Sequence, residues 1–98
     1  MQKRGYVYIM TTVDNSALYT GVTSDIRLRY RQHLEQCFPN AFTARYHCHK
    51  LVYYYEYSDI RCAIAEEKRI KGGSRKKKLA LVESINPDWK DLGPELFA

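Results

Sequence analysis

One carboxylate set into an apolar helical stripe constrains this chain more than any other feature. Residues Ile60, Ala63, Ile64, Glu67, Ile70 and Lys71 recur at the spacing that puts side chains on one face of an α-helix. Glu66 falls off that stripe and can stay in water. Glu67 falls on it, so where the helix packs its carboxylate must be paired, protonated or bound to a metal. The fold must therefore bring this helix to a core and leave an opening at Glu67.

The remaining elements can be read around that helix. Residues 6–11 and 18–23 are rich in Tyr, Val, Ile and Thr and read as two strands. Asp14-Asn15 between them is a turn signal, so they form an antiparallel hairpin. Ser24-Asp25 is a helix N-cap, opening a helix to about Cys37 with Ile26, Tyr30, Leu34 and Cys37 on its core face. Pro39-Asn40 breaks it, and residues 38–50 read as an irregular polar loop. Leu51 to Tyr57 is the third strand. Ser58-Asp59 caps the Glu67 helix, which ends at Gly72-Gly73. Residues 74–85 form another helix with Leu79, Val82 and Ile85 inward, and Asn86-Pro87 stops it. Asp88 to Ala98 is a tail anchored by Trp89. The order β-β-α-β-α-α predicts an α+β fold, a small three-stranded antiparallel sheet flanked by helices.

A chain of 98 residues is read as one domain, 1–98, with its core at about 5–92 and residues 93–98 as the end of the tail. Its net charge of +5 favours an anionic partner, nucleic acid ahead of membrane. The N-terminal apolar run Tyr6–Met10 is too short for a signal segment or a membrane span. Three cysteines without framework spacing fit a reducing cytoplasm. His47-Cys48-His49 with Cys37 matches no standard structural zinc spacing.

Strand parity brings chemistry together. With the turn at Asp14-Asn15, Tyr8 lies opposite Gly21 and Met10 opposite Tyr19, so Tyr8 and Tyr19 share a face and Gly21 leaves space beside Tyr8. Arg29 and His33 stack at i, i+4 on the rim of the first helix. Two phenols, a guanidinium, an imidazole and the Glu67 carboxylate suit phosphodiester hydrolysis. Glu67 would hold a divalent cation, Mg²⁺ or Mn²⁺, with water completing its shell. Arg29 would clamp the phosphate. A tyrosine acts as base only if neighbouring cations lower its pKa.

These residues resemble the GIY-YIG nuclease superfamily, in its small single-domain branch. Tyr6-Val7-Tyr8 stands at the GIY element and Tyr19-Thr20-Gly21 at the YIG element. Leu18 to Ile26 followed by Arg29 and His33, Phe42 to Tyr46, Ala63 to Lys71, and Asn86-Pro87-Asp88-Trp89 also resemble that branch. Tyr6 and Thr20 depart from the letters of the motif, and Val22 stands where some members carry a lysine. The resemblance implies a metal-dependent DNA endonuclease, with Tyr8 and Tyr19 as motif phenols, Arg29 as phosphate clamp, His33 at a His/Tyr position, Glu67 as metal ligand and Asn86 as a polar contact. Which tyrosine is the base stays open.

Each residue also has a plainer reading. Tyr8 and Tyr19 could simply pack a core, Glu67 could pair with a Lys or Arg, and Asn86 before Pro87 could stop a helix. Arg27, Lys71, Arg75, Lys76 and Lys77 are expected to track a phosphate backbone, although such basic runs are usually solvated. Tyr53-Tyr54-Tyr55 could stack on bases or pack a core. The expected partner is DNA, whether duplex, nicked or branched. The alternative to an enzyme is a non-catalytic nucleic-acid-binding module on the same scaffold.

Overall fold

The computed structural model describes residues 3–35 and 48–97. Strands β1 (Gly5–Thr11) and β2 (Leu18–Thr23) form a hairpin, followed by helix α1 (Ile26–Leu34), strand β3 (Lys50–Tyr57) and helices α2 (Ile60–Lys71) and α3 (Arg75–Ile85). A 3₁₀ turn, Pro94–Phe97, closes the described chain. The order is the β-β-α-β-α-α expected from the sequence. All strand pairs are antiparallel, and β1 is central in the order β2-β1-β3.

The hairpin register matches expectation: Tyr8 pairs with Gly21 and Met10 with Tyr19. Asn15 takes a φ of 62°, a left-handed conformation that Asn tolerates in turns. Arg75, at the start of α3, donates from Nη2 to the Asn15 and Ser16 carbonyls at 3.2 Å each. The turn is thereby tied to a helix distant in sequence.

Each described α-helix starts at a side-chain cap. Asp25, rather than Ser24, accepts the Leu28 N–H at 3.1 Å; Asp59 accepts that of Arg61 at 2.9 Å; Ser74 accepts that of Lys77 at 3.2 Å. Helix α1 stops at Leu34 with Glu35 as its C-cap, short of the expected end near Cys37. Cys37, the expected loop's residues up to His47, and the Phe42–Tyr46 segment of the family resemblance lie outside the described residues.

The sheet carries a separate core on each face. On one, Val7, Ile9, Val52 and Tyr53 pack against Ala63 and Ile70 of α2 and Val82 of α3. On the other, Tyr8, Met10 and Leu51 pack against Ile26 and Tyr30 of α1, Cys48, and Leu96 of the tail. A β-bulge opposite Ile9/Met10 inserts Val52 as an extra residue in β3. It lets Val52 and Tyr53 both serve the first core while Leu51 and Tyr54 face the second.

Three expected facings differ. His33, not Leu34, is the buried third residue of α1; Leu34 is 46% exposed. Relative to Ile26, a residue at i+7 returns almost to the same helical angle, whereas i+8 overshoots it. In α2, Ala63 and Ile70 are buried as expected while Ile64 is exposed, so the apolar stripe is narrower than its sequence pattern. Similarly, Ile85 of α3 is exposed and Val82 carries the contact. The tail is anchored by more than Trp89. Leu92 N–H donates to the Leu51 carbonyl at 2.7 Å, and Asp91 accepts from the Leu51 N–H at 3.1 Å and from the Tyr30 hydroxyl at 2.9 Å.

Candidate active site

The second face brings three of the expected residues into one cluster. The rings of Tyr8, Tyr19 and His33 lie with centroids 6.1, 5.8 and 5.9 Å apart in the three pairings. β1 contributes Tyr8, β2 contributes Tyr19 across the hairpin, and α1 lays His33 over both. The Tyr8 hydroxyl is 3.2 Å from His33 Nε2.

Gly21 is the residue that permits this packing. A Cβ added there would sit 2.5 Å from Cζ and the hydroxyl oxygen of Tyr8 and 2.9 Å from Cε1 of Tyr19. No side chain fits, so the phenol of Tyr8 lies directly over the backbone of its cross-strand partner. Space beside Tyr8, expected from the register, is in fact filled by the Tyr8 ring itself.

Burial sets the protonation states. Tyr8 is 1% exposed, and burial, reinforced by Tyr19, pushes its pKa well above the ordinary tyrosine value. Arg29 beside the phenol opposes that shift without overcoming it. His33 is pushed down to about 4, chiefly by burial and then by the charges of Arg29 and His49. At neutral pH the cluster therefore holds a protonated phenol and a neutral imidazole. In the neutral tautomer that leaves Nε2 bare, Tyr8 donates this hydrogen bond to His33; in the other, His33 donates to Tyr8.

α2 reaches the same cluster through Lys71. Its ammonium lies 5.8 Å from the centroid of the Tyr19 ring and 3.5 Å from Oε2 of Glu67. The Glu67 side chain is only 14% exposed, in keeping with its place on the packed stripe. Glu67 is thus paired, and its partner is the lysine one turn on, itself in contact with a motif tyrosine. Sequence reasoning put Lys71 among backbone-tracking cations; its position here is inside the cluster.

Asn86 is placed differently. It caps the end of α3 and is buried, with Nδ2 donating to the Val52 and Lys90 carbonyls at 3.0 and 2.8 Å and Oδ1 accepting from Lys90 N–H at 3.0 Å. Its amide is fully engaged in holding the tail to β3, as the helix-stop reading expects. Of the basic residues, Arg75 is occupied by the hairpin turn, while Arg27, Lys76 and Lys77 are exposed. Lys77 lines a groove of about 540 Å³ between α2 and α3, with Arg69 and Lys78. Of the tyrosine run, Tyr53 is buried in the first core, Tyr54 is half-buried on the opposite face and Tyr55 is exposed. His49, which the sequence offered only in a weak zinc reading with Cys37, His47 and Cys48, acts here through its charge on His33.

A three-stranded sheet whose first hairpin packs two tyrosines beside a helix-borne histidine matches the fold that the sequence resemblance implies. Residues 4–80 match the GIY-YIG catalytic domain, and the chain belongs to that family. A UPF0213 protein from Bacillus halodurans, solved in solution by NMR, superposes with a TM-score of 0.57 and 27% identity, covering 90% of this chain and 92% of that one. The UPF0213 protein YhbQ of Salmonella typhimurium is 61% identical over 28 residues, and a UPF0213 protein of Citrobacter koseri is 57% identical over 28. Those matches take in 29% of this chain and 27% of each relative, so the shared segment spans about a quarter of the relatives' length. Among the described residues no helix is long and apolar enough to cross a membrane.

Proposed function

We propose that this protein is a divalent-metal-dependent endonuclease that hydrolyses DNA phosphodiester bonds. The observation that carries this reading is the mutual packing of Tyr8, Tyr19 and His33, with Arg29 at the phenol and Lys71 linking the cluster to Glu67.

The protonation states divide the roles. In the tautomer with Nε2 bare, Tyr8 keeps its proton and donates to neutral His33, which leaves the phenol oxygen as an acceptor for the attacking water. Tyr19 is less buried and stands between the buried pair and Lys71, so it is the better placed phenol to take the water's proton. Neutral His33 is the second acceptor, reached through Tyr8. Arg29 offers a planar fork of donors to the phosphate.

Glu67 is a hard oxygen donor and fits Mg²⁺ or Mn²⁺. A single carboxylate is compatible with Mg²⁺, which retains waters and takes phosphate oxygens around one or two carboxylates. When bound, the ion would supply positive charge to the phosphate and leaving oxygen. Lys71 would then give up its hold on Glu67.

The test is a cleavage panel over duplex, nicked and branched DNA with Mg²⁺, Mn²⁺ or EDTA. Metal-dependent nicking by wild type, lost in a folded Glu67→Ala variant and weakened in Tyr19→Phe, is expected; cleavage that survives Glu67→Ala sinks the metal assignment. The Glu67–Lys71 pair also favours a second reading, a nucleic-acid-binding module without catalysis, because it neutralises the one carboxylate offered to a metal. Salt-sensitive binding with no cleavage under any metal would establish that reading instead.

A further inference from the structure

A second cavity, of about 430 Å³, adjoins the tyrosine–histidine cluster and is not used by the chemistry above. Its lining includes Tyr6, Tyr54, Arg4, Glu56, Asp25 and Arg27. Tyr54 is the direct cross-strand partner of Tyr8 on β3, and Tyr6 precedes Tyr8 by two residues on the same face of β1. The aromatic walls therefore abut the candidate active site. Along β1 the step from Tyr8 to Tyr6 is about 6.7 Å, a span that one stretched nucleotide bridges.

The charges in the lining argue for an uncharged ligand. Two guanidinium groups face two carboxylates: Arg4 is bound to Glu56 at 2.9 Å, and Asp25 is engaged as the cap of α1. Such a pocket attracts a phosphate poorly. It suits a flat heteroaromatic ring with polar edges, laid against the lining phenols and offering N–H groups to carboxylate oxygens. The Tyr54 hydroxyl donates to Glu95 at 2.9 Å, which holds that ring in place. Arg27 has no hydrogen bond or ion pair among the described residues and remains as a donor for the adjoining backbone.

We propose that this pocket receives an unpaired nucleobase next to the phosphodiester at the Tyr8–Tyr19–His33 cluster. A base inside a duplex is stacked and paired and cannot enter without being extruded. The preferred DNA thus carries a single-stranded nucleotide beside the cut: a flap, gap or branch rather than intact duplex. The position of the cut rests on the nuclease reading; the base pocket itself does not.

The test uses 2-aminopurine, a fluorescent base quenched by stacking, placed either unpaired at a flap junction or paired in an otherwise matched duplex, without divalent metal. Wild-type protein should quench the bright unpaired probe and leave the already dim emission of the paired, stacked one unchanged. Tyr54→Leu should weaken flap binding about tenfold while duplex affinity holds. If Tyr54→Leu fails to fold, Tyr6→Leu, at the other phenol of the lining, should weaken the flap selectively by a smaller factor. Absence of quenching by wild type, or equal losses on both DNAs, overturns the proposal. So does displacement of the flap by micromolar free deoxynucleoside monophosphate, which would make the ligand a free nucleotide. Cleavage is followed in parallel: quenching without cleavage under any metal removes the nuclease reading and leaves the pocket, and cleavage without quenching does the reverse.

Discussion

The two faces of the sheet share three strands and are built on different principles. The α2/α3 face is mainly aliphatic, with Val7, Ile9, Val52, Ala63, Ile70 and Val82 filling volume. The α1/tail face is largely aromatic, and its buried rings end in polar atoms that find partners: Tyr8 with His33, Tyr30 with Asp91, Tyr54 with Glu95. Aliphatic side chains contribute by area and shape, so one can be trimmed at a graded cost. A hydrogen-bonded aromatic layer is less forgiving, because each deletion also strands a partner. The face that carries the candidate site is therefore also the one whose geometry is most tightly specified.

The comparison breaks most visibly at Glu67. Glu67→Gln should lower metal-dependent cleavage on the order of a thousandfold, about 4 kcal/mol of barrier. Unfolding free energy should change by less than about 1 kcal/mol, because only one ion pair is lost. Cleavage kinetics and urea titration on the same sample check both halves. Next is Gly21→Ala, whose Cβ collides with Tyr8 and Tyr19. It should cost about 3 kcal/mol of stability and abolish cleavage at temperatures where the chain is still folded by circular dichroism.

Third comes pH. His33 is held at about 4 in the folded protein, below the ordinary histidine value, so the unfolded chain takes up the proton first. Its contribution is fully present above about pH 6.5 and is lost as pH falls toward 4, by no more than about 3 kcal/mol. Urea midpoints between pH 7 and 4 should fall for wild type and more shallowly for His33→Gln. Asn86→Ala follows, at about 2 kcal/mol, since three backbone groups lose their partner. If Asn86 acts only by holding the tail, kcat at low temperature stays within about twofold and thermal unfolding alone moves. Smallest is Val82→Ala on the aliphatic face, about 1–2 kcal/mol, with kcat unchanged. A kcat loss there matching that of Gly21→Ala would erase the distinction between the faces.

Much of this was legible in the residues. Strand alternation and an Asp-Asn turn were enough to pair Tyr8 with Gly21, because a one-residue slip would invert both faces. Caps placed the helix starts and Gly72 the end of α2, while the end of α1 came earlier than its pattern suggested. The burial of His33 was not legible, since residue type favoured Leu34 while helical angle favoured His33. The tail was opaque because Leu92 and Leu96 carry no periodic pattern and act through a bulged strand distant in sequence. In the site, Lys71 looked like one more surface cation, and only tertiary packing set it over Tyr19. The second pocket was hidden for a similar reason: Tyr54 acquires its place beside Tyr8 through the β1–β3 register, which no local signal encodes.

The central position of β1 has a kinetic consequence. Its pairing with β2 is local, and a hairpin of that kind closes in about 1–10 μs. Its pairing with β3 must wait for the ends of a much longer segment to meet, a slower and entropically costlier event. The two motif phenols can thus find their register in the earliest structure the chain makes, while Glu67 and Tyr54 join only with the later elements. A mutation in the hairpin turn should consequently slow folding, whereas one in α3 should mainly hasten unfolding.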